Sequence, residues 1–373
     1  MSKKTAIVVG AGIIGLATAR ALATRGYQVT VIERNSRAVG ASIRNFGMIW
    51  PIGQPEGALY QQAALSRNIW LETCAAAGIW HDKAGSLHLA FSPDEFEVLK
   101  ELQEIYKHRG YKILNAGQVL QKSPAVSINN LLGGLYSTEE IIVNPRAAIP
   151  AISEWLHDKF GVKFIWGTAA TRIDNTRGWA GDRYYESDQI YVCSGADFET
   201  LYPEIFALQP ITKCKLQMLK IKKQPDNWRI GPALCGGLSL LHYASFKSAS
   251  SLGILKRRIE QSYPEYLKWG IHVMVSQNES GELIIGDSHE YGTTHDPFNN
   301  SDINKLILDY LKGFAIFKEN EVVETWNGIY SKLTNGETNI VLAAAEGVTI
   351  INGLGGAGMT FGFGLCDQVV GGM

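Results

Sequence analysis

The stretch TAIVVGAGIIGLATARALATRGYQVTVIER, Thr5 to Arg34, decides how the rest of the chain reads. Ala6–Val9 is a short apolar run of the kind that forms a buried parallel strand. Gly10-Ala11-Gly12-Ile13-Ile14-Gly15 then carries the spacing G-x-G-x-x-G, and Leu16–Arg25 continues with a helical period. Gly26 closes the helix, and Gln28–Ile32 is a second strand that ends at Glu33. The sequence predicts a strand–turn–helix–strand unit that binds a dinucleotide. Gly10 permits the tight turn, Gly12 lets a pyrophosphate approach the backbone, and Gly15 lets the helix pack on the strand. Unpaired N–H groups and the positive end of the helix dipole then face the phosphates. Glu33 stands where a carboxylate accepts hydrogen bonds from ribose hydroxyls.

With 373 residues the chain is long enough for two domains. Its 46% hydrophobic and 19% charged residues describe an ordinary globular protein. A net charge of -1 offers no electrostatic reason for a nucleic-acid or anionic-membrane partner. The five cysteines (Cys74, Cys193, Cys214, Cys235, Cys366) are scattered and without C-x-x-C spacing. That argues against a disulfide framework and for a reducing compartment. No His, Cys or carboxylate set has metal-ligand spacing, so no metal is expected. The N-terminal MSKK runs straight into the first strand, which leaves no signal peptide and suggests a cytoplasmic protein. The uncharged run Gly347–Cys366 approaches membrane length, but its seven glycines break it into strand, loop and helix.

Further along, Ala38–Pro55 is polar and glycine-dotted, a loop suited to lining a site. Helices are expected over Leu59–Ala77, Pro93–Arg109, Leu114–Ser123, Asn144–Phe160, Leu255–Trp269 and Ser301–Phe317. Strands are expected within Trp80–Phe91 and over Leu131–Tyr136, Val162–Trp166, Thr168–Ile173, Gln189–Cys193, Lys215–Ile221, Leu238–Phe246, Ile271–Ser276, Leu283–Ile285 and Glu321–Tyr330. Nucleotide-binding character recurs at the start, middle and end, with β-rich inserts between. Two interleaved domains follow: residues 1–83, 140–212 and 323–373 for the cofactor, and 84–139 and 213–322 for the substrate.

A second glycine stretch, Gly353-Leu354-Gly355-Gly356-Ala357-Gly358-Met359-Thr360, follows the strand Val348–Ile351 and precedes a helix from about Phe361. A plain nicotinamide domain has no need of a second helix N-terminus so far along the chain. A flavin has one, because the reduced ring carries negative charge that free backbone N–H groups stabilise. FAD is therefore the expected cofactor.

At this point the chain resembles the D-amino-acid oxidase, glycine oxidase and sarcosine oxidase group of FAD flavoproteins. The resemblance rests on Gly10/Gly12/Gly15 with Glu33-Arg34, on Ser42-x-Arg44-Asn45-x-Gly47, on Val192-Cys193-Ser194-Gly195-Ala196, and on the C-terminal G-x-G-G-x-G-x-T. It implies an α/β protein whose Rossmann-like FAD domain, of glutathione-reductase type, is interleaved with a mixed or antiparallel β-sheet substrate domain that roofs the flavin. It also implies site roles. Gly10, Gly12, Ile13, Ile14 and Gly15 would hold the pyrophosphate, and Glu33 and Arg34 the ribose side. Ser42, Arg44 and Asn45 would line the pyrophosphate and flavin edge. Ala170 would bond the adenine through its backbone, and Ser194 and Gly195 would flank the diphosphate. Gly355, Gly356, Gly358, Met359 and Thr360 would meet the pyrimidine end of the flavin.

The departures concern the substrate. Members of the group that oxidise ordinary amino acids carry an Arg in W-x-G-x-R-P that clamps the carboxylate. Here Trp326-Asn327-Gly328-Ile329 is followed by Tyr330, with Lys332 two residues on. The SIRNFGMIWPIGQP loop and the IHVMVSQ…GELIIGDSHEYG hairpin resemble a subgroup associated with bacterial phosphonate breakdown. That implies an aminoalkylphosphonate substrate, 2-aminoethylphosphonate or its N-methyl derivative. A phosphonate needs Arg, Lys or several N–H donors, which makes Arg44 and Lys332 the first candidates. His242 and Tyr243 on one expected strand, His272 on another, and Tyr330 complete the set. Each histidine reads at least as well as a packed or surface residue, except His272, which the alternation with apolar neighbours in the hairpin favours for the site. Lys215 and Gln217 fit a surface position better than the site, and Cys366 fits a buried helix position better than a covalent flavin link. The implied chemistry is hydride transfer from the amine's α carbon to flavin N5, then imine hydrolysis, with O2 or another electron acceptor. Two rivals stand beside it: an oxidase or dehydrogenase of small D- or N-methyl amino acids, and an FAD-binding subunit of a hetero-oligomeric dehydrogenase.

Overall fold

Thr5–Val9 is the central strand of a six-stranded sheet, with Gln189–Val192 on one side and Gln28–Ile32 on the other. Lys163–Ile165 extends the sheet beyond Gln28–Ile32, and Val348–Asn352 extends it beyond Gln189–Val192, all in parallel. Ile340–Ala345 closes that edge antiparallel. The computed structural model describes residues 3–372. Both faces of the first strand are covered, which is why it reads as an unbroken apolar run rather than an alternation. Ala6 and Val8 pack with the helical side of the core, while Ile7 and Val9 pack under the three-stranded antiparallel sheet of residues 170–186.

The helical side is built by Ile13–Thr24, Ala58–Ala77, Pro145–Phe160 and Gly358–Gly371. Two close approaches hold it together. A Cβ on Gly15 would lie 1.8 Å from the carbonyl oxygen of Gly10, so the turn closes only on glycine. A Cβ on Gly364 would lie 2.4 Å from the carbonyl oxygen of Gln62, so the C-terminal helix touches Ala58–Ala77 backbone to backbone. Trp70, fully buried, donates its indole N–H to the Met359 carbonyl at 2.8 Å and fixes where the C-terminal helix begins. That helix starts at Gly358 after a short 3-10 turn over Gly355–Ala357, three residues earlier than the sequence suggests.

The second layer is a nine-stranded sheet of mixed direction. Ile211–Ile221 is its longest shared seam, paired antiparallel with Val322–Leu333 from Ile211↔Leu333 to Ile221↔Val322. Val322–Leu333 lies within the segment assigned to the cofactor domain on sequence, yet it pairs within the large sheet. Its far end meets the glycine loop through a bridge between Lys332 and Leu354. Apolar side chains on the two faces of this sheet fill two separate cores, one of which faces the cofactor side through Phe46, Met48 and Trp50.

Several expected elements differ from the sequence reading. Leu238–Phe246 alternates buried and polar positions as a strand would, but it forms two 3-10 turns, Gly237–Leu241 and Ala244–Ser248. Ser239 donates to the Gly236 carbonyl at 2.6 Å and Ser245 to the Ile52 carbonyl at 2.6 Å, so side-chain hydroxyls replace ladder bonds. His242 and Tyr243 therefore sit between turns and not on a strand. His272 likewise precedes its strand, which begins at Met274. The expected helix Leu255–Trp269 splits into Leu252–Ser262 and Pro264–Lys268, because Pro264 has no N–H to continue the first. All five cysteines are free and buried. Among the described residues, no helix is long and apolar enough to cross a membrane.

Glu140 pins the loop that enters the site. Fully buried, it accepts the Ile52 N–H at 3.0 Å and the Ser86 hydroxyl at 2.8 Å, and burial pushes its carboxyl up to about 7. The folded state thus holds this proton where the unfolded chain, near 4.5, has released it. The sign follows: stability from this group is lost as pH rises from about 4.5 to about 7. Urea unfolding of the wild type and Glu140→Gln at pH 5 and pH 8 checks this. The variant should gain on the wild type at the higher pH by up to about 3 kcal/mol. An unchanged difference would contradict it.

Candidate active site

A cavity of about 790 Å³ runs from the first glycine turn to the large sheet. Its volume lies in the range of pockets that enclose whole cofactors or ligands. At one end it is bordered by Gly10, Gly12, Ile13, Ile14, Glu33, Arg34 and Ala170, and along its length by Ser42, Arg44, Asn45, Ser194 and Gly195. Gly355, Gly356, Gly358, Met359 and Thr360 border the middle, while His242, Tyr243, His272, Tyr330 and Lys332 form the far wall. Every cofactor or catalytic candidate named from the sequence except Gly15 borders this one space; Gly15 lies beneath the turn, against Gly10.

The phosphate end is built from backbone donors. Leu16 N–H is bonded to the Gly12 carbonyl at 2.9 Å, and Gly10 N–H to the Ile32 carbonyl at 2.8 Å. Glu33, buried, accepts Ala11 N–H at 2.9 Å through one oxygen and Asn35 N–H at 3.0 Å through the other. Ser42 Oγ accepts Ile13 N–H at 2.9 Å. Neither Ile13–Thr24 nor Gly358–Gly371 has an acid in its first turn, so both helix starts remain free for an anion. Asn45 ties its own loop, donating to the carbonyls of Ala41 and Ser42 and accepting Gly47 N–H. Ser194 donates to the Asp197 carbonyl at 2.8 Å, and Thr360 accepts Trp50 N–H at 3.0 Å. Backbone amides beside two positive helix ends, in one cavity of about 790 Å³, fit FAD.

The two arginines on this path are committed. Arg34 pairs with Asp197. Arg44 donates Nε to the Val39 carbonyl at 2.8 Å and Nη1 to the Asn327 carbonyl at 3.0 Å, so it braces the loop against Val322–Leu333. Lys332 donates to the Tyr291 hydroxyl at 3.1 Å and lies over that ring at 5.0 Å. Lys215 and Gln217, expected at the surface, are buried behind the sheet. Lys215 donates to the carbonyls of Asp296 and Phe298, and Gln217 exchanges bonds with Asn300, so together they hold the 296–304 loop. Cys366 is a buried helix residue whose thiol burial pushes up.

The far wall holds residues that the sequence reading passed over. Asp287, His289 and Lys247 also border the cavity. His272 and Asp287 exchange backbone hydrogen bonds at 2.9 and 3.2 Å just beyond the Met274↔Gly286 ladder pair. This brings His272 Nε2 to 3.1 Å from Asp287 Oδ1. His242, open to the cavity, lies tilted against His272 with ring centres 3.8 Å apart, and 4.8 Å from His289. Desolvation within the wall lowers all three imidazoles, His289 to about 4, and raises Asp287 well above the carboxylate range. The three imidazoles are therefore uncharged at pH 7. Two buried ring nitrogens here have no partner, Trp50 Nε1 and His272 Nδ1. Regular antiparallel register beyond Met274↔Gly286 would set Ser288 opposite His272, and a one-residue shift at the end of the ladder sets Asp287 there instead.

Geometry of this kind, two helix N-termini on one long cavity beneath a polar sheet wall, defines a flavin-dependent oxidoreductase. A family model described as DAO, FAD dependent oxidoreductase, matches residues 5–370, and the chain belongs to that family, with FAD as its cofactor. The chain is 31% identical over 249 residues to the tRNA 5-methylaminomethyl-2-thiouridine biosynthesis bifunctional protein of Pseudomonas putida, across 62% of this chain and 35% of that protein. It thus aligns with about a third of the length of such bifunctional relatives. It is 22% identical over 348 residues to a protein of Rhizobium meliloti named as one of the subunits of opine oxidase, covering 88% of this chain and 82% of the relative. Among solved structures it is similar in fold to a glycine oxidase from Bacillus cereus, with TM-score 0.77, 17% identity, and coverage of 100% and 95%.

Glu33 gives a direct test of the phosphate end. In Glu33→Gln one of the two carboxylate oxygens becomes a donor that faces another N–H. FAD affinity should fall about tenfold or more, the size expected for a charged hydrogen bond. Ultrafiltration with flavin absorbance of the filtrate measures it, and unchanged retention would contradict the assignment.

Proposed function

We propose that the chain oxidises a C–N bond of a small amine that carries an anionic end, with an aminoalkylphosphonate as the substrate. The observation that carries this reading is the far wall of the cavity. It lacks a free arginine, presents Lys332 and Lys247 as its cations, and offers hydroxyls as additional donors. A flat carboxylate is best held by the bidentate fork of an arginine, whereas a tetrahedral phosphonate accepts from a lysine and several separate donors. Tyr330, at the position where related sequences carry the clamp arginine, is buried with its hydroxyl at the glycine loop. Its oxygen is 3.5 Å from where a Cβ on Gly356 would stand.

The flavin, when bound, supplies the two-electron acceptor, so the protein needs no nucleophile of its own. The chain's residues bind, orient and exclude water. Low imidazole pKa values keep His242, His272 and His289 uncharged at pH 7, so the wall does not repel an ammonium group or compete to protonate the amine. Lys332 anchors the anionic end, and Trp50 with Tyr243 forms an aromatic side to the space. Glycine oxidase and opine oxidase, named for amine substrates, support oxidation at nitrogen. The resemblance to a phosphonate-associated subgroup supports the anionic end.

A second reading has its own observation. The opine oxidase relative is named as one component of a larger enzyme, which favours an FAD-bearing chain that works only with a partner. Anaerobic mixing of the FAD-loaded protein with N-methyl-2-aminoethylphosphonate, 2-aminoethylphosphonate, sarcosine, glycine and D-alanine separates the possibilities. Flavin bleaching by the phosphonates is expected, with Lys332→Met raising the half-saturating concentration about tenfold or more at unchanged FAD content. Bleaching only by the amino acids would overturn the phosphonate reading, and no bleaching by any amine would favour the partner-dependent chain.

A further inference from the structure

His242 lies between two 3-10 turns, and His272 and His289 flank the two strands of a hairpin, yet one ring nitrogen of each lies within 4.8 Å of the others. Their surroundings are those of metal-ligating imidazoles. His289 Nδ1 faces the Gly270 carbonyl at 2.9 Å, which fixes the tautomer that leaves Nε2 free. His272 Nε2 faces Asp287 at 3.1 Å, while its Nδ1, in a side chain 5% exposed, has no partner. His289, with a carbonyl on one ring nitrogen and a lone pair on the other, shows the outer-sphere pattern that orients histidine ligands. His272 brings the unpartnered Nδ1, and Asp287 Oδ1 is itself without a hydrogen-bond partner. His242 has an open approach from the cavity.

We propose that His242, His272 and His289 form a three-imidazole site for a divalent ion of the zinc class, with its fourth coordination position open to the cavity. Three neutral nitrogens suit Zn²⁺, Cu²⁺ or Ni²⁺ rather than Mg²⁺ or Ca²⁺, which take oxygen ligands. Zn–N bonds of about 2.0–2.1 Å at tetrahedral angles put ligand nitrogens about 3.4 Å apart. The rings now lie face to face, His272 and His289 at 5.2 Å and 16°. Taking up the ion turns them edge-on and draws the nitrogens together by about an ångström. His242, which is free on its cavity side, makes the largest turn. Water, or an anion in the cavity, completes the shell.

The test uses FAD-loaded protein stripped with EDTA, gel-filtered and titrated with ZnCl2 by calorimetry, with dialysis and elemental analysis for stoichiometry. One zinc per chain is expected. His242→Gln and His289→Gln should each weaken binding about tenfold or more, and the double variant should abolish it. Co²⁺ in place of zinc should give the visible absorption of a tetrahedral nitrogen site, read as a difference against the oxidised flavin. Substoichiometric zinc, or undiminished binding in the double variant, overturns the proposal. FAD content reports folding of each variant; if His289→Gln loses the cofactor, His242→Gln decides alone, because its side chain borders open space. The readout is binding and needs no turnover, so its failure is distinct from failure of the amine reading.

Discussion

The free N-terminus of the helix after Thr5–Val9 is the constraint on which the rest depends. A helix start leaves several backbone N–H groups without partners; Ser42 takes that of Ile13, and an anion suits the others. The strand order makes this a shared site: Gln28–Ile32 and Lys163–Ile165 lie to one side of the first strand, Gln189–Val192 and Val348–Asn352 to the other. The chain reverses its direction of growth at that strand, which opens a crevice beyond the carboxyl ends of the parallel strands. The last strand delivers the second glycine loop to the same crevice, so that Gly358 meets Ile13 and Gly362 meets Ile14. Two positive helix ends, from opposite ends of the sequence, face one cavity.

The large sheet completes the site by exclusion rather than by charge. Ile211–Ile221 and Val322–Leu333 run as a long ladder that carries Tyr330 and Lys332 from the sheet to the glycine loop. Arg44, which bonds carbonyls at 39 and 327, locks the entering loop to that ladder. Desolvation in the polar wall above holds its imidazoles uncharged at pH 7 and raises Asp287 above the usual carboxylate range.

The cofactor end was legible because local sequence and tertiary demand coincide there. Gly10, Gly12 and Gly15 are required by turn geometry and close packing within six residues, and Glu33 follows at the end of the next strand. The same holds for Gly353–Thr360, with the helix start misjudged only by the 3-10 turn. The substrate end was legible in part. Alternation in Leu238–Phe246 imitates a strand because Leu238, Leu240 and Phe246 do face a core, while serine hydroxyls bond the backbone into turns. Lys215 and Gln217 look like surface residues until the 296–304 loop folds over them. The histidine cluster has no local signature at all. Its members are 30 and 17 positions apart, and only strand pairing beside Met274 and the position of a turn bring them together.

The central claim is that both glycine turns hold one flavin whose ring faces the His272–Tyr330 wall. A crystal structure of the FAD-loaded protein tests it most directly. The account predicts the pyrophosphate at the Gly12–Ile14 amides, the ribose at Glu33, and the ring between the Gly356–Met359 amides and the side chains of Tyr330 and His272. Ring density elsewhere, or a flavin held by the first turn alone with the Gly353–Thr360 loop turned away, would contradict it.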